Sequence, residues 1–331
     1  MRGLCRHDDQ TGLPQPRRWR HVEHADRQPA AHPLGKLRQS GVTGHAMAQD
    51  YIEVRQSGGV LVVKMDDTPT RNAIGMEMAR AIETQFDRLD SDPALRVLVL
   101  TGRDPSFCSG ANVRRMDDAN RARQPSEAAS LPQSPWAALE REWTKGAAGG
   151  SEEMDVVRML PVRLHKLKKP SIAAVNGHAV GLGMGLALSC DIRIASERAQ
   201  FSEAFVKNGL IPADGSCWQL PRMIGLGNTF LLQYTGDLIA AEEAYRMGLV
   251  AKVVPHDDLT GAAMELAQRL AQGPTYSMGL IKRLVQASLD VSFEESMRLA
   301  GPAQELARQT EDHREGVRAF VEKRRPSFKG R

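Results

Sequence analysis

Two glycine-bearing turns hold the residues best suited to chemistry. They are Phe107-Cys108-Ser109-Gly110-Ala111-Asn112 and Asn176-Gly177-His178-Ala179-Val180-Gly181-Leu182-Gly183-Met184-Gly185, and each follows a short apolar run. Small residues let a ligand approach the main chain, and the first N–H groups of a helix have no partner within it. Two such turns aimed at one oxygen would form an oxyanion hole, which stabilises negative charge developing on a carbonyl. Either turn alone serves equally well as a tight-packing device. The second turn contains Gly181-Leu182-Gly183-Met184-Gly185, a GxGxG pattern rather than GxGxxG, with only Glu197 loosely placed after the next strand. A nicotinamide-cofactor site is therefore not favoured. His178 has a ring suited to base chemistry but sits in a tight turn, so a packed role is expected. Cys108 has no evident base to activate it. Asp191, at the start of a strand, suggests a structural hydrogen-bond role.

The elements that must position these turns read clearly from Tyr51 onward. Runs at 51–56 and 60–65 flank Ser57-Gly58-Gly59, a hairpin pattern. Met76, Ala79, Ile82, Phe86 and Leu89 recur at helical spacing over 75–89. Val97–Thr101 and Ser171–Val175 are continuous apolar runs, as expected of strands buried on both faces. A helical pattern over 156–167 stops at Lys169-Pro170. An apolar, small-residue helix is expected over 181–189 and a further strand over 192–195. This alternation predicts an α/β sheet. Beyond Pro255 the period is wholly helical, with breaks at Gly273-Pro274, Val291-Ser292 and Thr310.

Composition narrows the function. The 331 residues are 41% hydrophobic and 25% charged, ordinary globular values. No apolar run is long enough to span a membrane. The four cysteines are scattered, which indicates neither a zinc site nor a disulfide framework and fits a reduced, cytoplasmic protein. The formal charge of +4 lies wholly in residues 1–46, where seven Arg and Lys36 face Asp8, Asp9, Glu23 and Asp26. A neutral remainder offers no footprint for nucleic acid. Residues 1–46 also carry five of the nine histidines and four prolines without any period, so a disordered basic extension upstream of Met47 is expected. A transit peptide should lack acids, and the histidines do not repeat at a metal-ligand spacing. The polar stretch at 117–151 reads as an insert or lid.

Blocks along the chain resemble the enoyl-CoA hydratase/isomerase (crotonase) superfamily. They are Pro69–Ala73, Ser106–Val113, Lys169–Gly177, Cys190–Ser196, Leu220-Pro221-Arg222 and the ending Glu322–Phe328. The resemblance implies a crotonase-like α/β spiral of ββα repeats as an acyl-CoA-binding core over 47–255. It also implies a helical subdomain over 256–331 that builds a homotrimer or homohexamer. The implied substrate is an acyl-CoA thioester, with no metal and no cofactor beyond the coenzyme A of the substrate. Carried over by position, the oxyanion-hole donors fall on the N–H groups of Ala111 and Leu182. The implied CoA and acyl contacts fall on Arg71, Asn72, Ala73, Ser109, Gly110, Gly181 and Trp218. Lys323 and Phe328 are implied to lie near the nucleotide held by a neighbouring subunit.

The chain departs from the family where hydratases carry two glutamates: those positions align to Gly185 and Phe205, which cannot move protons. The stretch 204–212 with Trp218 resembles the isomerase branch, including ring-opening isomerases of phenylacetate breakdown. The carboxylate of that branch would stand at Ala213. The nearest acids are Asp214, whose alternative role is to cap the next helix, and Glu203. The expectation is an enoyl-CoA double-bond isomerase using Asp214 or Glu203 as base. A hydratase with displaced carboxylates and a non-catalytic acyl-CoA-binding homologue are the alternatives.

Overall fold

The computed structural model describes residues 51–112 and 152–331, with positions 121, 136 and 139 between them. The extension expected at 1–46, and all but those three positions of the insert expected at 117–151, lie outside the described residues. β1 (Ile52–Ser57) and β2 (Val60–Met65) pair antiparallel. Gly58 and Gly59 between them both have positive φ, 55° and 84°, the backbone a tight two-residue hairpin turn requires. α1 (Met76–Ser91) buries Met78, Ala79, Ile82, Phe86 and Leu89, the stripe expected from the helical period.

A unit of long strand, short strand and helix then occurs three times. The first is β3 (Val97–Gly102), β4 (Ser106–Cys108) and α2 (Glu152–His165). The second is β5 (Ser171–Val175), β6 (His178–Val180) and α3 (Leu182–Ser189). The third is β7 (Ile192–Ser196), β8 (Gln200–Ser202) and α4 (Ser216–Thr235). β9 (Ile239–Ala240), α5 (Ala241–Arg246) and β10 (Lys252–Val254) follow. Long strands form a sheet in the order β1-β2-β3-β5-β7-β10, and short ones a second sheet in the order β4-β6-β8-β9. Because successive units pair in parallel, Ile172 beside Ile192 and Ser106 beside His178, the turns joining long to short strands stack as neighbours. The short strands have no signature in the sequence, since three-residue runs are too brief to show a period.

The large sheet is buried on both faces, which explains why its strands read as unbroken apolar runs. Leu98, Leu100, Ala173 and Val175 share one core with α1, α2 and α3. Val97, Val99, Ile172, Ala174 and Ile194 pack on the other face against Leu259, Ala263, Ala267 and Ala271, a four-residue stripe of α6 (Leu259–Ala271). α7 (Thr275–Ser288), α8 (Phe293–Arg308) and α9 (Glu311–Val321) complete the helical third. Their breaks fall where expected: Ser292 and Thr310 accept from the N–H groups of Glu295 and His313 as helix caps. α2 stops at His165, two residues before the expected end, and Lys169 instead ties strands to helix by donating to the carbonyls of Leu89, Asp92 and Leu95 at 2.6–2.8 Å. Among the described residues no helix is long and apolar enough to cross a membrane, and no cluster of His, Cys, Asp and Glu could hold a metal ion.

Candidate active site

The first turn is fixed by the loop before α1. Asn72 is fully buried. Its amide donates to the carbonyls of Arg103 and Ser106 at 2.8 and 2.7 Å, and its oxygen accepts the Asp67 N–H. The side chain thus binds loop to turn, its polar atoms engaged by main-chain groups. Ser109 likewise donates its hydroxyl to the Thr70 carbonyl at 2.8 Å, and its N–H donates to the Arg71 carbonyl. Ala73 is buried, and Arg71 at φ 57° is exposed at the loop tip. Ile74 donates to the Gly110 carbonyl in a parallel bridge that pairs Ile74 with Ala111. In such a bridge the middle residue's own N–H points away from its partner, so the Ala111 N–H is turned outward from the loop.

α3 brings up the second turn. All eight of its residues are buried, so its apolar character all round is what its place demands. Its C-terminal carbonyls at Ala187, Leu188 and Cys190 accept from the Arg193 guanidinium, a cation suited to that end of the helix dipole. Its N-terminus has no side-chain cap among the described residues: Gly181 at φ 50° leads in, and Leu182 is the first helical residue, an N–H that the helix leaves unpaired. The two turns touch. A Cβ on Gly183 would lie 2.3 Å from the Cys108 carbonyl oxygen, so only glycine allows α3 to seat here. The position of a Cβ on Gly110 is 3.9 Å from the Leu182 nitrogen. The structure thus brings Ala111, Gly110, Gly181 and Leu182 together.

A carboxyl pair stands beside the same helix. Asp214 is 2% exposed and Glu203 fully buried. Ser216, at the start of α4, places its hydroxyl oxygen 2.7 Å from Asp214 Oδ1 and 2.8 Å from Glu203 Oε2. The Ser216 N–H also donates to Asp214 Oδ1 at 3.1 Å, so the helix-start role engages one oxygen of Asp214. Among the described residues the other, Oδ2, has no hydrogen-bond partner, and neither has Glu203 Oε1. Asp214 Oδ2 would be 2.5 Å from a Cβ on Gly185. A carboxyl group from another loop therefore fills the space over the helix position where the family's hydratases carry a glutamate, and the glycine makes room for it. Gly185 is three residues beyond Leu182, about 4.5 Å along the helix. The other glutamate position, Phe205, lays its ring 3.4 Å from where a Gly181 Cβ would be, which makes that side apolar. Burial pushes the Glu203 carboxyl well above its ordinary range, with the Asp214 charge adding to the rise and the Ser216 hydroxyl opposing it. Burial raises Asp214 too, against the hydroxyl and main-chain N–H of Ser216.

Other candidates lie elsewhere. The Trp218 ring is 5.6 Å from that of His165, with the Arg222 guanidinium 4.2 Å above it. It lines a cleft of about 420 Å³ with Leu188 and Ile281, between the C-terminal end of α3 and α7. Two residues past Ser216 on a helix, Trp218 points to a different side from the carboxyl pair, toward this cleft. The Phe328 ring packs on Gly316 of α9 and its carbonyl accepts from Arg96, while Lys323 is exposed just past that helix. Burial pushes the Cys108 thiol up to about 12, which removes it as a nucleophile. Asp191 accepts from the Ser171 N–H and hydroxyl and pairs with Lys282, the structural role expected. Sequence reasoning missed Ser216 and the substitution of Asp214 for the absent side chain at Gly185. The signal was two compensating departures, a missing carboxylate and a displaced one.

Comparison with known proteins gives the family. The family model described as enoyl-CoA hydratase/isomerase matches residues 55–143 and 150–331. The 1,2-epoxyphenylacetyl-CoA isomerase of Escherichia coli (strain K12) is 34% identical over 284 residues, 85% of this chain and 99% of that protein. The crotonyl-CoA hydratase of Syntrophomonas wolfei is 32% identical over 85% of this chain and 99% of its own length. Among solved structures, an enoyl-CoA hydratase from Bacillus anthracis superposes with a TM-score of 0.72 at 28% identity, covering 85% of this chain and 100% of that one. With the spiral of strand pairs, the two apposed turns and matches along nearly the whole of these relatives, the chain belongs to the enoyl-CoA hydratase/isomerase family, the crotonase superfamily of acyl-CoA enzymes.

Proposed function

We propose that the protein is an enoyl-CoA double-bond isomerase in which Asp214 is the proton-transferring base. The supporting observation is that the unpaired Oδ2 of Asp214 lies over Gly185, about one helical turn from the Leu182 N–H. In this reading the Ala111 and Leu182 N–H groups hold the thioester oxygen. Asp214 Oδ2 takes a proton from the carbon beside the thioester carbonyl. The electron pair moves onto the thioester oxygen as a dienolate, and Asp214 returns the proton two carbons along, shifting the double bond. The oriented N–H groups contribute several kcal/mol only when that oxygen is charged, which is what makes so weak a carbon acid accessible to a carboxylate.

Gly185 and the apolar ring of Phe205 argue against water held between two opposed glutamates. The second carboxyl, Glu203, keeps hydration as the alternative reading, and loss of both family glutamates keeps a binding-only homologue in view. The Arg71–Ala73 loop and the Ser109-Gly110 turn would hold the CoA moiety, with Lys323 and Phe328 serving a neighbouring subunit in a trimer or pair of trimers. Acyl turnover by Asp214→Asn should fall about a hundred- to ten-thousand-fold, with acyl-CoA affinity preserved. Wild-type turnover in that variant would refute the assignment of the base.

A further inference from the structure

Ser216 imposes a condition on the two carboxyl groups it touches. A hydroxyl has one proton and two lone pairs. The Ser216 oxygen is 2.8 Å from Glu203 Oε2, 2.7 Å from Asp214 Oδ1 and 3.4 Å from Gln233 Nε2. The Gln233 amide N–H fills one lone pair. Were both carboxyl groups ionised, the single hydroxyl proton could serve one of them, and the other would set a negative oxygen against a lone pair with no proton between. With one proton on the pair every contact is a hydrogen bond: a carboxylic acid donates to the serine oxygen, and the serine hydroxyl donates to a carboxylate.

The remaining donors decide which carboxyl is which. Asp214 Oδ1 also receives the Ser216 main-chain N–H at 3.1 Å, at the N-terminus of the part of α4 that runs from Ser216 to the kink at Gly225, an end that favours negative charge. Glu203 has the serine hydroxyl as its side-chain partner, in a fully buried position. Among the described residues, the titratable groups facing the pair are each carboxyl toward the other and the Cys217 thiol of α4. α3 presents the main chain of Gly185, and α4 the neutral amide of Gln233. We propose that Ser216 is a positioning residue that holds the negative charge on Asp214 and the resident proton on Glu203. Asp214 Oδ2 is then the base at rest, and the pair reaches two protons when the substrate proton arrives, its charge having passed to the dienolate. This inference rests on the reading of Asp214 as the base.

The test is the pH dependence of kcat for isomerisation of a 3-enoyl-CoA by the full chain and its variants, with acyl-CoA affinity measured alongside. Ser216→Ala removes a donor to the Asp214 charge, so the acid limb should move to higher pH by about one unit, affinity being kept. Ser216→Thr should restore the limb. Glu203→Gln imitates the protonated acid and should keep kcat within about tenfold, whereas Asp214→Asn should lose at least about a hundredfold. An unmoved limb in Ser216→Ala, or a Glu203→Gln variant as inactive as Asp214→Asn, would overturn the proposal. Should Ser216→Ala fail to fold, the Glu203 and Asp214 variants decide alone. An Asp214→Asn variant with wild-type turnover sinks the assignment of the base itself. An inactive Asp214→Asn with an unmoved limb in Ser216→Ala sinks only the role of the serine.

Discussion

Burial of the carboxyl pair costs stability. A buried Glu203 whose pKa is raised, chiefly by desolvation, binds its proton more tightly folded than unfolded. Between the unfolded value of about 4.3 and the raised folded value, the native state therefore holds more protons, and stability falls as pH rises. Each pH unit of that elevation costs about 1.4 kcal/mol above the folded pKa. Glu203→Gln removes the titration while keeping the shape. It should melt at a higher temperature than wild type in alkaline buffer, with the gap closing as pH falls toward the ordinary carboxylate range. A gap independent of pH would mean that the pair is not under this strain. Asp214 and Glu203 were visible in the sequence as the nearest acids to an expected site. Ser216 was not, because a serine after glycine reads as a turn and only three dimensions show which oxygens it joins.

Elements, rather than side chains, set the candidate oxyanion hole. The Ala111 N–H is turned outward by a single bridge to Ile74, and the Leu182 N–H by the start of α3. What holds the two together is the seat of α3 on the first turn at Gly183. Gly183→Ala would force a methyl to within 2.3 Å of the Cys108 carbonyl oxygen. The expected result is a loss of about 1–3 kcal/mol in stability from overpacking. A kcat lowered by about tenfold or more should accompany it, since oxyanion donors act only at close range. A folded variant with wild-type kcat would place the donors elsewhere. The helices and long strands were legible because burial on both faces leaves continuous runs, and burial on one face leaves a stripe such as Met78, Ile82, Phe86 and Leu89. The short second sheet was not, because β4, β6 and β8 are three residues each and exist through pairing with one another. The orientation of Trp218 was equally hidden, since position on α4 does not say which neighbour its ring meets.

At the scale of the whole molecule, the helical third and α4 leave large apolar side chains uncovered. Phe320 is 85% exposed, Phe293 76% and Tyr234 71%, the kind of apolar surface that a second subunit covers. Sedimentation should therefore report a multiple of the 36.4 kDa subunit, with a trimer or hexamer expected. A monomer at micromolar concentration would contradict the proposed neighbouring-subunit role of Lys323 and Phe328. Mass spectrometry reads the reaction itself: the purified protein is incubated in heavy water with saturated and unsaturated acyl-CoA panels. Isomerisation predicts a double-bond shift with deuterium at the carbon beside the carbonyl or two carbons along, no added water, and loss of both signals in Asp214→Asn. A product heavier by one water would contradict it in favour of hydration, and tight binding with neither change would contradict it in favour of a protein that binds acyl-CoA without turning it over.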